Sequence, residues 1–184
     1  MTLGELYTFV RGNPEGTEPP EPPVFRGDLD LTWELITWLP RRLIVTGDMA
    51  ILNCPNLTAL PAEMFVGGDL LLDGSQIKEI PADLNVRGNI YAYDMDLNIP
   101  TGYTTNGSLD LRGASRQEGH SWKPLQLPDN LTVNGELDVS GRKVEWPKNL
   151  IVRGRLILSN QWADQRPIGV ATINGNFCVN GARL

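Results

Sequence analysis

The 184-residue chain has a formal net charge of −6, an isoelectric point near 4.8 and 41% hydrophobic residues. That length suits one domain with a real core. The acidic balance argues against direct binding to a nucleic-acid backbone, which needs clustered Lys and Arg, and no stretch approaches the length of a membrane span.

The first element expected is a short helix over residues 2–10, TLGELYTFV. Thr2 and Glu5 have the spacing of a capping box, and Leu3, Leu6, Phe9 and Val10 would cover whatever follows. This segment lacks a basic stretch followed by an apolar run, so no signal peptide is expected. Asn13 to Pro23 is rich in Pro and Glu and reads as an extended linker. Residues 1–23 are thus cap and linker, and 24–184 are one repeat domain.

The repeat decides the fold. Its unit, L-P-x-x-L-x-V-x-G-x-L-x-L, is cleanest as LPDNLTVNGELDV from Leu127 and WPKNLIVRGRLIL from Trp146. Earlier copies start at Leu39, Leu60 and Ile80, a degenerate one at Ile99, and half copies at Val24 and Thr172. The anchoring glycines are Gly27, Gly47, Gly68, Gly88, Gly107, Gly135, Gly154 and Gly175, spaced 20, 21, 20, 19, 28, 19 and 21 residues apart. Apolar residues alternate on both sides of each glycine, the period of a half-buried strand. Glycine accepts backbone angles other residues resist, which suits a corner. The Pro marks a second corner that needs no ladder donor. About 20 residues per unit is too short for a β-α-β crossover. The expected fold is therefore all-β: a parallel β-solenoid of about eight rungs. Inward columns such as Val45, Val66, Val86, Val133 and Val152, and Leu29, Met49, Leu70, Ile90, Leu109, Leu137 and Leu156, would supply the core at roughly 1.5–3 kcal/mol per large side chain.

These units resemble the leucine-rich-repeat-like solenoids of bacteria and their phages, and are similar to the short L-P-x-x-L repeats of bacterial effector proteins. The likeness covers residues 24 to 180. It departs from the effector type where Gly replaces the Asn of that family's turn and strand replaces loop. The resemblance implies an architecture and a habit of binding proteins. It brings no catalytic residue.

The repeat breaks once, at RGASRQEGHSWKPLQ between Leu111 and Leu127, where a turn of about six residues is expected; long loops in compact folds are often functional. This loop holds His120, Arg116 and Trp122. Two coils on, SNQWADQRPIG holds Trp162 and Arg166, and both loops leave the same corner. Trp and Arg are favoured interface anchors, so these five residues form the first candidate partner-binding site. Nothing caps the last rung in the sequence, so a homodimer or end-on partner is expected near Phe177 to Leu184.

Asp28, Asp48 and Asp69 stack outward in register as a like-charge ladder. It is mildly unfavourable at roughly 1 kcal/mol per exposed pair in water, unless a cation meets it. Phe65, Tyr91 and Tyr93, with Ile44 and Leu71, also point outward by register. Apolar side chains rimmed by acids make the second candidate site.

One histidine leaves no catalytic triad, and Cys54 and Cys178 lack zinc spacing and fall on distant rungs. No cofactor or metal is expected, and two unpaired thiols suit a reducing cytoplasm. The expected function is a non-enzymatic protein-binding scaffold, by analogy an inhibitor of a host defence protein made by a phage and acting in the host cytoplasm. Two alternatives stand beside it. One is an acidic mimic of nucleic acid that sequesters a DNA- or RNA-binding protein. The other is a carbohydrate-active β-helix enzyme using paired outward carboxylates.

Overall fold

The computed structural model describes residues 1–113, 124–159, 171–179 and 182–183. The chain is a parallel β-solenoid with one short N-terminal helix, Leu3–Gly12. Thr2 caps that helix as the sequence predicts: its hydroxyl accepts from Glu5 N at 3.2 Å, and the Glu5 carboxylate accepts from Thr2 N at 2.7 Å. Leu6 and Val10 are buried against the first coil, and the Phe9 ring lies 5.8 Å from that of Trp38. The linker is tied down at its middle and at its end. Glu18 pairs with Arg41 at 2.8 Å, and the Pro23 carbonyl accepts from Ile44 N.

Successive repeats pair in parallel and in register, Val24 on Ile44 and Leu29 on Met49 through to Leu156 on Phe177. The eight strands after the glycines, with Ala182–Arg183 at one edge, form one nine-stranded sheet. The strands before them form two four-stranded sheets, one carrying Val24 to Val86 and the other Thr104 to Ile173. The winding amounts to about six turns rather than the eight rungs counted from the glycines. The copies at Val24 and Thr172 are half copies, which lend strands to the ladders without completing a wind.

The corner glycines are needed for a reason the sequence does not display. Only Gly27 among them has a positive φ, at 92°. The others are glycine because consecutive corners touch. Gly68 N donates to Gly47 O at 2.9 Å and Gly154 N to Gly135 O at 2.8 Å. A Cβ on Gly154 would lie 2.5 Å from Gly135 O and 2.6 Å from its carbonyl carbon. No backbone angle relieves that contact, because the obstacle is the neighbouring rung.

The left-handed conformation sits at the other corner. In L-P-x-x-L the second x has positive φ at Arg42, Glu63, Asn130 and Asn149, between 57° and 60°, and at Gly102. Asn and Gly tolerate this region; Arg and Glu pay for it.

Two further features close the core. Ile36, Leu57, Ile77, Leu97, Leu125 and Val144 form an additional buried column, supplied by the stretch that reads as a variable turn. Where the fifth unit's turn departs at Gly113, Arg142 of the sixth reaches back to the fourth. It donates to Met95 O at 2.5 Å and to Asp96 Oδ1 at 2.6 Å, with its stem over Gly113. At the other end, the final post-glycine strand is not left open as expected. Ala182–Arg183 folds back and pairs antiparallel with Phe177–Val179.

Two substitutions separate these roles. Gly154→Ala should cost about 2–3 kcal/mol through backbone overlap, lowering the melting temperature by several degrees. Glu63→Asn should raise stability by up to about 1 kcal/mol by relieving the left-handed backbone, since the exposed Glu63–Arg41 pair it removes contributes little. Thermal melts followed by circular dichroism check both.

Candidate interaction surface

The outward columns begin with the residue after each glycine. Beyond the corner, the backbone N–H of this residue points at the preceding rung but finds no carbonyl there. A side chain supplies the acceptor. Asp28 Oδ1 accepts from Asp48 N at 2.9 Å, Asp48 Oδ1 from Asp69 N at 2.7 Å, and Asp69 Oδ1 from Asn89 N at 2.7 Å. Asn89 and Ser108 continue the relay to Ser108 N and Glu136 N. The Asp28–Asp48–Asp69 ladder stacks in register, and its carboxylates are engaged from within the chain. Each carboxylate is met by an amide donor of the next rung, and a carboxylate bound to N–H is well stabilised.

The next outward column runs Asp30, Ala50, Leu71, Tyr91, Asp110, Asp138 and Ile157 in strict register. Asp30, Asp110 and Asp138 each use Oδ1 to accept the N–H two residues on, from Thr32, Arg112 and Ser140. This is the local turn that Asp favours. Asp110 Oδ2 holds Arg112 NH2 at 2.7 Å, and Asp138 Oδ2 lies 3.7 Å from Arg112 Nε. Glu136 pairs with Arg155 at 2.6 Å. Around them is a shallow depression of about 240 Å³, lined among others by Asn89, Tyr91, Ser108, Asp110, Arg112, Glu136 and Asp138. Burial pushes the Asp138 carboxyl above its ordinary pKa, and the Asp110 charge adds to this against the hydrogen bonds from Ser140 and the pull of Arg112.

Phe65 does not belong to this face. It lies in the pre-glycine ladder, half-buried, with the Arg87 guanidinium 5.4 Å over its ring. The two faces differ sharply in charge. Among the described residues, the outward positions of the pre-glycine ladders carry Arg26, Arg87 and Arg153 and no carboxylate. The post-glycine sheet carries eight carboxylates (Asp28, Asp30, Asp48, Asp69, Asp73, Asp110, Glu136 and Asp138) against Arg112, Arg155 and, on its last strand, Arg183.

A third feature lies along the ridge where the post-glycine strands end. Here Asn53, Gly74, Asp94 and Gly141 adopt positive φ, residue types suited to it. In the first copy the same place holds Trp33, at φ 63° and 71% exposed, followed closely by Leu35 at 69%. Tyr93 is exposed on the same ridge. Neither Trp33 nor Leu35 stands out in the repeat, because the first copy is a half copy with no aligned turn. Placing Trp33 beneath Asn53 and Gly74 would have found it. Trp122, His120 and Arg116 fall in 114–123, and Trp162 and Arg166 in 160–170, outside the described residues. The points of departure are described: Gly113 N donates to Ser140 O, and Gly141 N to Ser159 Oγ, so both segments leave from this ridge.

Among the described residues no three His, Cys, Asp or Glu gather as a metal site, and no helix is long and apolar enough to cross a membrane. Cys54 and Cys178 are buried free thiols. Burial pushes the Cys54 thiol up, and it donates to Leu31 O. No protein-family model matches the chain, and neither curated proteins nor solved structures show a match to it. The fold and surface define a parallel β-solenoid with an acidic face, a cationic face and an aromatic ridge.

Asp138 offers a pH test. Its folded pKa is raised, so the folded state holds the proton more tightly than the unfolded chain. Stability is then gained as pH falls through the folded pKa and lost as pH rises through it. Asp138→Asn keeps the acceptor for Ser140 N and removes the penalty. The variant should melt higher than wild type at neutral pH, and the gap should shrink as pH falls towards the ordinary aspartate range. Paired melts across that range check it.

Proposed function

We propose that the chain is a non-enzymatic protein-binding scaffold, in the manner of the leucine-rich-repeat-like solenoids it resembles, and that it acts by occupying a host protein. Trp33 carries this reading. A bulky aromatic in the left-handed region costs about 1–2 kcal/mol, and exposing the ring forgoes the burial that would offset it. The neighbouring copies show that the turn needs only Asn, Gly or Asp. Backbone strain held at one exposed residue is a mark of function, and Trp is the residue most favoured as an interface anchor. Leu35 and Tyr93 extend the apolar surface along the ridge, where the two long segments bearing Trp122 and Trp162 also depart.

Trp33→Asn separates fold from binding. The variant should melt higher than wild type, because Asn suits the turn, yet lose the partner that wild type captures from bacterial host lysate. A variant that is more stable and captures the same partner as wild type would overturn the reading.

A further inference from the structure

The acidic face has chemistry that points to the character of a partner, and the inference rests on the scaffold reading above. We propose that the centre of the post-glycine sheet, from Tyr91 and Tyr93 to Asp110 and Asp138, is a docking surface for an extended, arginine- or lysine-bearing segment of another protein.

Charge complementarity carries the proposal. Among the described residues this sheet carries eight carboxylates against three arginines, while the outward positions of the pre-glycine ladders bear arginines without carboxylates. Such segregation is not needed for solubility, which interspersed charges provide as well. It orients and speeds the approach of a basic partner. The Asp28, Asp48 and Asp69 column serves the amides of the next rung, whereas the centre of the sheet sets its carboxylates around a depression that Tyr91 also lines.

That centre suits a guanidinium or ammonium group. Asp110 and Asp138 both line the depression, each accepting the N–H of its own turn at Oδ1, and Arg112 reaches both carboxylates there. Arg112 shows what such oxygens hold. Its Nε and NH2 meet Asp110 at 2.9 and 2.7 Å, while its side chain stays 48% exposed. The chain's own guanidinium thus engages both oxygens of Asp110, with Asp138 and Glu136 lining the same depression. One rung away, Tyr91 lines the depression and Tyr93 stands exposed two residues along the strand. Their rings add cation–π attraction for a charge within about 6 Å. The rungs are about 4.8 Å apart, so the rings and both carboxylates fall within reach of neighbouring basic side chains on one extended peptide. Asp138 is held here against its own ionisation, a cost that a bound cation would remove.

The test uses the full chain and a fluorescent synthetic peptide alternating arginine and serine, read by anisotropy against the same peptide with citrulline for arginine. Wild type should bind the arginine peptide at least about tenfold more tightly, a difference of 1.4 kcal/mol. Asp138→Asn with Glu136→Gln should weaken that binding about tenfold. Glu63→Gln with Glu79→Gln removes the same charge elsewhere and should leave it nearly unchanged. Arg112→Gln should tighten binding, because the competing internal guanidinium is gone. Melting curves confirm that each variant is folded. Equal losses in both double variants, equal binding of the citrulline peptide, or an unmoved Arg112→Gln would each overturn the proposal. If the peptide fails but Trp33→Asn still loses its lysate partner, this surface is wrong and the scaffold reading stands. If Trp33→Asn also keeps its partner, the scaffold reading falls with it.

Discussion

The structure depends on the contact between successive corner glycines. Gly47 N to Gly27 O, Gly68 N to Gly47 O and Gly88 N to Gly68 O run as one hydrogen-bonded file along the solenoid. At this contact the backbones are so close that no Cβ fits between them. The close approach sets the rung spacing, and the rung spacing brings the inward columns into van der Waals contact. Leu43, Met64 and Leu131, and Val45, Val66 and Val133, are fully buried because each sits directly on its counterpart one repeat away. No single coil encloses a core, and the stack does so only because its corners nest.

The same contact shapes the surface. Turning the chain at the glycine leaves one N–H per rung without a carbonyl, and Asp28, Asp48, Asp69, Asn89 and Ser108 supply the missing acceptors. An unmet donor at such a place would cost about 1–3 kcal/mol. Much of the acidity of the post-glycine face is therefore architectural in origin. What architecture does not require is more telling. Trp33 occupies a turn made for Asn or Gly, and Asp138 is ionised only at a cost imposed by burial. Both are departures from local optimality, and such departures gather where a protein does its work. The interrupted fifth unit belongs with them. Arg142 bridges the fourth and sixth units across the gap, so the departing segment leaves the stack closed behind it.

Much of the fold was legible because the repeat is nearly pure pattern. The alternation around Gly135 and Gly154 specified strands, register and inward columns, and Thr2 with Glu5 specified the cap. The column of Ile36, Leu57, Ile77 and Leu97 was not legible, because its distance from the corner varies by a residue between repeats and no motif marks it. The separation of Phe65 from Tyr91 was not legible for a different reason. Both point outward by alternation, yet the glycine corner places them in different sheets.

Alternation and period are local properties, carried by the order of residues, and they alone determined that this chain winds as stacked parallel strands around an apolar core. Which outward side chains are spent on neighbouring backbone and which are presented to a partner depends on atoms some 20 residues away in the chain. Only the tertiary structure decided that Asp48 serves Asp69 N, that Arg112 sits on Asp110 and Asp138, and that Trp33 stands strained and exposed. The physical reason is that these contacts cross between rungs, and their geometry is set by how closely one rung can lie on the next.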